Sequence, residues 1–179
     1  RLLDYREETS SFEPEVCLEL AKHWLEDFEL DNARFYFDHF LAKGGDPDTV
    51  WSLAGDVWPS ADRLEELGRW RIEWADSKSD GKPNSVRILG AAQIIDAIRS
   101  KDSTPSTLET LKAELISEIG IERDFGVVNF DSVDQAWAAY VCALICEFPD
   151  WIERSGESLE SLLGDDDLRL GEVLVNRYQ

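Results

Sequence analysis

The sequence is short of positive charge. Its 179 residues carry 18 Lys and Arg against 38 Asp and Glu, a formal net charge of −20. Direct binding to nucleic acid rests mainly on Lys and Arg neutralising phosphates. Attraction to an anionic membrane surface rests on the same groups, so neither partner is expected. Six prolines and eleven glycines are too few to punctuate many short strands with tight turns, and long helices are easier to place. Three cysteines, Cys17, Cys142 and Cys146, make no disulfide framework. An odd count favours a reducing compartment, and a cytoplasmic location is expected. The longest apolar run, Ala136 to Cys146, has eleven residues and falls short of a bilayer span. No signal-peptide pattern stands at the start, although an opening Arg1 is compatible with a removed leader or a preceding domain.

Chemistry-bearing patterns are equally sparse. Gly44-Gly45 ends a helical stretch and does not open a phosphate loop after a strand. No serine sits in a nucleophile elbow. Cys142 and Cys146 lie in an apolar run without a basic neighbour, which raises a thiol's pKa and leaves it inert. The two histidines, His23 and His39, lie sixteen residues apart. With Asp27 and Asp38 they could form a metal set only if three or four ligands converge. Carboxylates are so abundant that a glycosidase-like pair has no specificity. Arg69, Arg71 and Lys78 interleave with Trp70 and Trp74, a pattern better suited to cation–aromatic stacking within a helix pair than to nucleic acid. No enzyme activity, cofactor or metal is expected.

What is present is apolar mass at helical spacing. Hydrophobic residues make up 43% of the chain, with seven tryptophans, which separates it from disordered compositions. Ser11 as a cap and Pro14 in the first turn open a helix whose apolar face runs through Val16, Leu20, His23, Trp24 and Phe28. A second carries Ala33, Phe37, Phe40 and Leu41 and stops at Gly44-Gly45-Asp46-Pro47. A third covers about Asp48 to Val57, and a fourth about Ala61 to Ser77. Ser79 to Asn84 reads as a loop. A fifth helix, about Ser85 to Arg99, has enough β-branched residues to permit a strand. A sixth follows Thr104-Pro105 and ends near Gly120, and Asp124 to Phe130 reads as an extended segment or packed loop. Asp131-Ser132 opens an all-round apolar helix to about Phe148, with Pro149 as its end or a kink. Asp165-Asp166-Asp167 reads as a solvated loop, and Leu168 to Tyr178 as a last helix. The fold expected is all-α: antiparallel helical hairpins, tetratricopeptide-like or an irregular bundle. A single domain over residues 1–179 is expected, with two repeat-like hairpins in 14–81 and more divergent helices from 84 packed on them.

Two helix pairs share a pattern. Leu20-Ala21, Trp24, Ala33, Phe37 and Phe40 mark the first; Trp51, Ala54-Gly55, Trp58, Gly68, Ile72 and Ala75 mark the second. Cys17 and Trp51 are 34 residues apart, as are Trp24 and Trp58. This resembles the tetratricopeptide repeat over about Pro14 to Ser77. Leu89-Gly90-Ala91 with Ile94, and Trp137 with Tyr140, would begin further, degenerate copies. Small residues let large neighbours approach closely, so Gly55→Leu is expected to overpack the third helix. The resemblance implies an inner groove lined by Leu18, Lys22, Ser52 and Asp56. Versions of the repeat that grip a terminal carboxylate use Lys and Asn there. Here only Lys22 is basic and Asp56 would repel an acidic tail, so a basic or mixed peptide or protein segment is the partner expected.

The charge is uneven: −8 over residues 1–50, −1 over 51–100 and −7 over 101–150. Such a field steers basic partners. The leading expectation is a helical-repeat adaptor or chaperone-like subunit. The alternative is an acidic inhibitor, an immunity protein or DNA mimic that blocks a basic nuclease or nucleic-acid-binding protein.

Overall fold

The computed structural model of the chain describes residues 11–78 and 84–178. It is all-α, with no strand among the described residues. Among the described residues nine α-helices follow in order: α1 (Pro14–Glu26), α2 (Leu30–Ala42), α3 (Pro47–Val57), α4 (Leu64–Asp76), α5 (Asn84–Lys101), α6 (Pro105–Ala113), α7 (Val133–Cys146), α8 (Pro149–Leu162) and α9 (Leu168–Tyr178). The chain divides into two compact units, residues 1–63 and 64–179. The boundary falls between α3 and α4, inside the stretch that the 34-residue spacing assigns to a second hairpin. The loop expected at 79–84 lies, apart from Asn84, outside the described residues.

In the first unit α1 packs on α2. Cys17, Ala21, Ala33 and Phe37 are fully buried there, and Val50, Trp51, Ala54 and Trp58 are buried on the third helix and its end. Caps explain the boundaries. Glu13, not Ser11, precedes α1, and its side chain makes no cap bond. Asp46 accepts the Asp48 and Thr49 amides at 3.3 and 3.1 Å and the Thr49 hydroxyl at 2.7 Å, and Pro47 then fits the first turn. At the other ends a residue in the left-handed region turns the chain: the second residue past α1 and past α2, and Asp62 at the end of the 3₁₀ turn Pro59–Ala61 that follows α3. Glu29 N–H reaches back to Trp24 O at 2.9 Å and Phe28 N–H to Leu25 O at 3.0 Å; Gly45 reaches Phe40 O at 2.9 Å and Arg63 reaches Trp58 O at 2.9 Å. Gly44 takes this conformation without cost, but Phe28 (φ 58°) and Asp62 (φ 57°) are not glycine.

The second unit is built around α5. It packs on α4, on α7 and on a 3₁₀ segment, Ile121–Val127. Val86, Ile88, Ala91, Ala92, Ile94, Ile95 and Ala97 are therefore buried around most of its circumference, which is why a β-branched stretch settles as a long helix. The contact with α4 is made by two glycines. A Cβ placed on Gly68 would stand 2.5 Å from the Gly90 carbonyl oxygen, and one on Gly90 2.6 Å from that of Gly68. Close crossing by small residues thus occurs at Gly68–Gly90. It does not occur at Gly55, where an added Cβ meets no heavy atom within 4 Å among the described residues. The expectation that Gly55→Leu overpacks is corrected accordingly.

Two further expectations change. Pro149 neither ends nor kinks α7, which stops at Cys146 as Glu147 turns left-handed at φ 58°; it opens α8, a helix missing from the sequence reading. Of Asp124 to Phe130, read as extended or as a packed loop, residues 124–127 belong to a 3₁₀ helix (Ile121–Val127) with Phe125 buried and stacked on Trp151 at 5.0 Å between centroids, and Val128 beyond it is extended. The sixth helix does continue towards Gly120, but its last turns, Glu114–Ile119, widen to π geometry before Gly120 turns left-handed at φ 67°.

Candidate functional site

The four residues of the expected groove occupy accessible positions in the first unit. Leu18 and Lys22 stand one turn apart on α1 and are half-buried; Ser52 and Asp56 stand one turn apart on α3 and are exposed. No hydrogen bond or ion pair among the described residues joins the α1 pair to the α3 pair. Lys22 Nζ lies 2.8 Å from Glu19 Oε1. The single cation of this surface is therefore neutralised from its own helix, while the Asp56 carboxylate has no ion-pair partner among the described residues.

The basic cluster seen in the sequence disperses. Arg69 is held between Glu65 at 3.0 Å and Glu114 at 2.7 Å. Arg71 retains only 9% of its surface, and Lys78 Nζ sits 5.6 Å from the Trp74 ring centre. His23 Nε2 is 3.9 Å from Asp27 Oδ2, and His39 Nδ1 lies 2.8 Å from the Phe35 carbonyl oxygen. Among the described residues no three His, Cys, Asp or Glu side chains are placed to hold a metal ion. All three cysteines are free and buried. Burial pushes the Cys17 and Cys142 thiols up, and Cys146 to about 11. No helix among the described residues is long and apolar enough to cross a membrane.

Two polar arrangements in the second unit escaped the sequence reading. The first is a buried ion pair. Arg87 of α5 donates from Nε to Asp124 Oδ2 at 3.0 Å, and from its other nitrogens to Asp76 and to the Ile119 carbonyl. It ties α4, α5, the π turn and the 3₁₀ segment together. Burial pushes the Asp124 carboxyl above its usual range against the opposing pull of Arg87. Its role is structural. The signal was an arginine inside an apolar helix, between Val86 and Ile88.

The second is a pocket of about 300 Å³ between α4, α5 and α7. Arg71 enters from α4, Gln93 and Asp96 from α5, and Asp134 and Trp137 from α7. Neither Asp96 nor Asp134 has a hydrogen-bond or ion-pair partner among the described residues. Asp134 is exposed, but Asp96 is half-buried. Burial pushes the Asp96 carboxyl up, opposed by Arg99 and reinforced by Glu172, and Arg99 is itself turned to Glu172 at 3.5 Å. Among the described residues the other half-buried or buried carboxylates all have partners. The Trp137 ring lies 5.9 Å from the Arg169 guanidinium carbon, and Arg169 is bonded to Asp167 at 2.7 Å. The sequence cue was an aspartate in the run Ile94-Ile95-Asp96-Ala97-Ile98. No protein-family model, curated protein or solved structure matches this chain.

Proposed function

We propose that the protein is a non-enzymatic interaction module that binds a basic or mixed segment of another protein. The observation that carries this reading is the state of the candidate groove. Its one cation, Lys22, is already paired with Glu19, so the surface meets a ligand with Leu18, Ser52 and an uncompensated Asp56. A basic segment is attracted to such a surface, and an acidic tail is repelled. The tetratricopeptide-like register is part of the proposal. Pro14 and Pro47, which open α1 and α3, are 33 residues apart, and Leu30 and Leu64, which open α2 and α4, are 34 apart. The three free thiols suit work in the reducing cytoplasm.

The test is fluorescence anisotropy with labelled basic, neutral and acidic peptides at low and at physiological ionic strength. The basic set should bind preferentially, and its affinity should fall as salt screens the field. Asp56→Lys should weaken it further. Equal binding of all three sets, or binding indifferent to salt, refutes the reading. Inhibition of an intact basic nuclease without binding of any peptide would favour the inhibitor alternative instead.

A further inference from the structure

We infer that the pocket between α4, α5 and α7 receives the cationic end of a lysine or arginine side chain from the bound segment, seated between Asp96, Asp134 and Trp137. This rests on the proposed peptide-binding reading and gives it a specific subsite. Three observations converge. The lining holds two carboxylates and one guanidinium, so it is net negative. The guanidinium, Arg71, is nearly buried and already engaged within the protein, whereas neither carboxylate has a hydrogen-bond or ion-pair partner among the described residues. Asp96 is decisive: a carboxylate withdrawn from water without a partner is destabilising, and an entering cation would offset that cost.

Shape and aromatic chemistry agree with this occupant. A volume of about 300 Å³ lies at the lower end of ligand pockets, enough for one side chain. Trp137 adds an aromatic ring to the lining, a group that attracts cations; Arg169, 5.9 Å from that ring's centre, is the protein's own instance of the attraction and takes up one of its faces. Aliphatic stems find Leu89, Ala92 and Ala138 in the lining, which matches the amphipathic build of Lys and Arg.

Ala92 and Ala138 also provide the readout. The full chain, labelled with 13C at alanine methyls, is titrated with Nα-acetyl-arginine amide, Nα-acetyl-lysine amide and the neutral isostere Nα-acetyl-citrulline amide. One or both cationic probes should shift the Ala92 and Ala138 methyls saturably, and citrulline should not. Asp96→Asn, which removes a buried charge and so should fold, is expected to weaken the effect at least tenfold, with Asp134→Asn weakening it less. Citrulline acting as strongly as arginine, unchanged titration in Asp96→Asn, or no methyl shift with any probe would each overturn the subsite. Should basic peptides bind the protein while these methyls stay still, the subsite fails and the peptide-binding reading stands. Should the amides bind here while no peptide does, the reverse holds.

Discussion

Replacing Gly68 by alanine tests the packing on which the second unit depends. A Cβ there would lie 2.5 Å from the Gly90 carbonyl oxygen and 2.8 Å from Ile94 Cγ1. Ordinary contact begins near 3.5 Å, so α4 and α5 must separate by about 1 Å or one must rotate. Overpacking of this kind costs roughly 1–3 kcal/mol. Alanine regains about 1 kcal/mol of helix propensity over glycine. Because the obstacle is a backbone carbonyl inside a packed helix, not the end of a flexible side chain, the upper half of the range applies. The net loss is then about 1–2 kcal/mol. Gly55→Ala is the control: its Cβ meets nothing within 4 Å among the described residues, so it should gain about 0.5–1 kcal/mol from propensity alone. Urea unfolding followed by far-UV circular dichroism should place the midpoint of Gly68→Ala below the wild type and that of Gly55→Ala above it. If both glycines respond alike, or Gly68→Ala is the more stable, the glycine crossing is not what holds α4 against α5.

Four other outcomes follow from the geometry. Phe28→Gly should stabilise by about 0.5–1 kcal/mol in the same assay, since a bulky residue at φ 58° bears a left-handed penalty that glycine does not and Phe28 is 67% exposed. Arg87→Met should cost about 3–5 kcal/mol by leaving Asp124 buried and unpaired, and adding Asp124→Asn should restore much of that loss. The three thiols should react slowly with a disulfide reagent at pH 8 while the protein is folded and rapidly in guanidinium, because burial raises their pKa values and blocks access. Asp96 ionises less readily folded than unfolded, so its penalty is absent well below the ordinary aspartate value, where both states are protonated, grows as pH rises from that value through the folded one, and is complete above it. Asp96→Asn should therefore raise the urea midpoint at pH 7 and leave it unchanged at pH 3.

The fold was legible wherever apolar spacing was strong and turn chemistry plain. Gly44-Gly45-Asp46-Pro47 stops one helix and starts the next, because a left-handed glycine and an aspartate cap are written in adjacent letters. The α8 helix was missed because its buried stripe runs through Ser155 and Gly156, which carry little hydrophobic signal, and Pro149 looked only like an ending. The left-handed corner at Phe28 could not be foreseen, since no propensity favours an aromatic residue there. Gly68 was legible as a small residue at a crossing, but its partner Gly90 comes from the next helix along, across residues 79–83, and spacing does not name partners. The expected groove residues could be placed on helix faces from the repeat-like spacing. The pocket could not, because it joins Arg71, Asp96 and Asp134 from three separate helices.

An acidic chain cannot give each carboxylate a cation of its own, since 38 of them face only 18 Lys and Arg. On the surface that excess costs little, because water and salt screen it. The informative carboxylate is the one that water reaches poorly and no cation satisfies. Glu65 and Glu114 share Arg69, Asp124 has Arg87, Asp167 has Arg169 and Glu172 has Arg99. Asp96 has none of these, although an asparagine or alanine would sit there at lower cost. A group kept at the expense of stability is expected where binding supplies the missing partner. The same substitution, Asp96→Asn, should therefore strengthen the free protein and weaken its hold on a cationic side chain. A variant that loses both stability and binding would instead mark Asp96 as part of the scaffold.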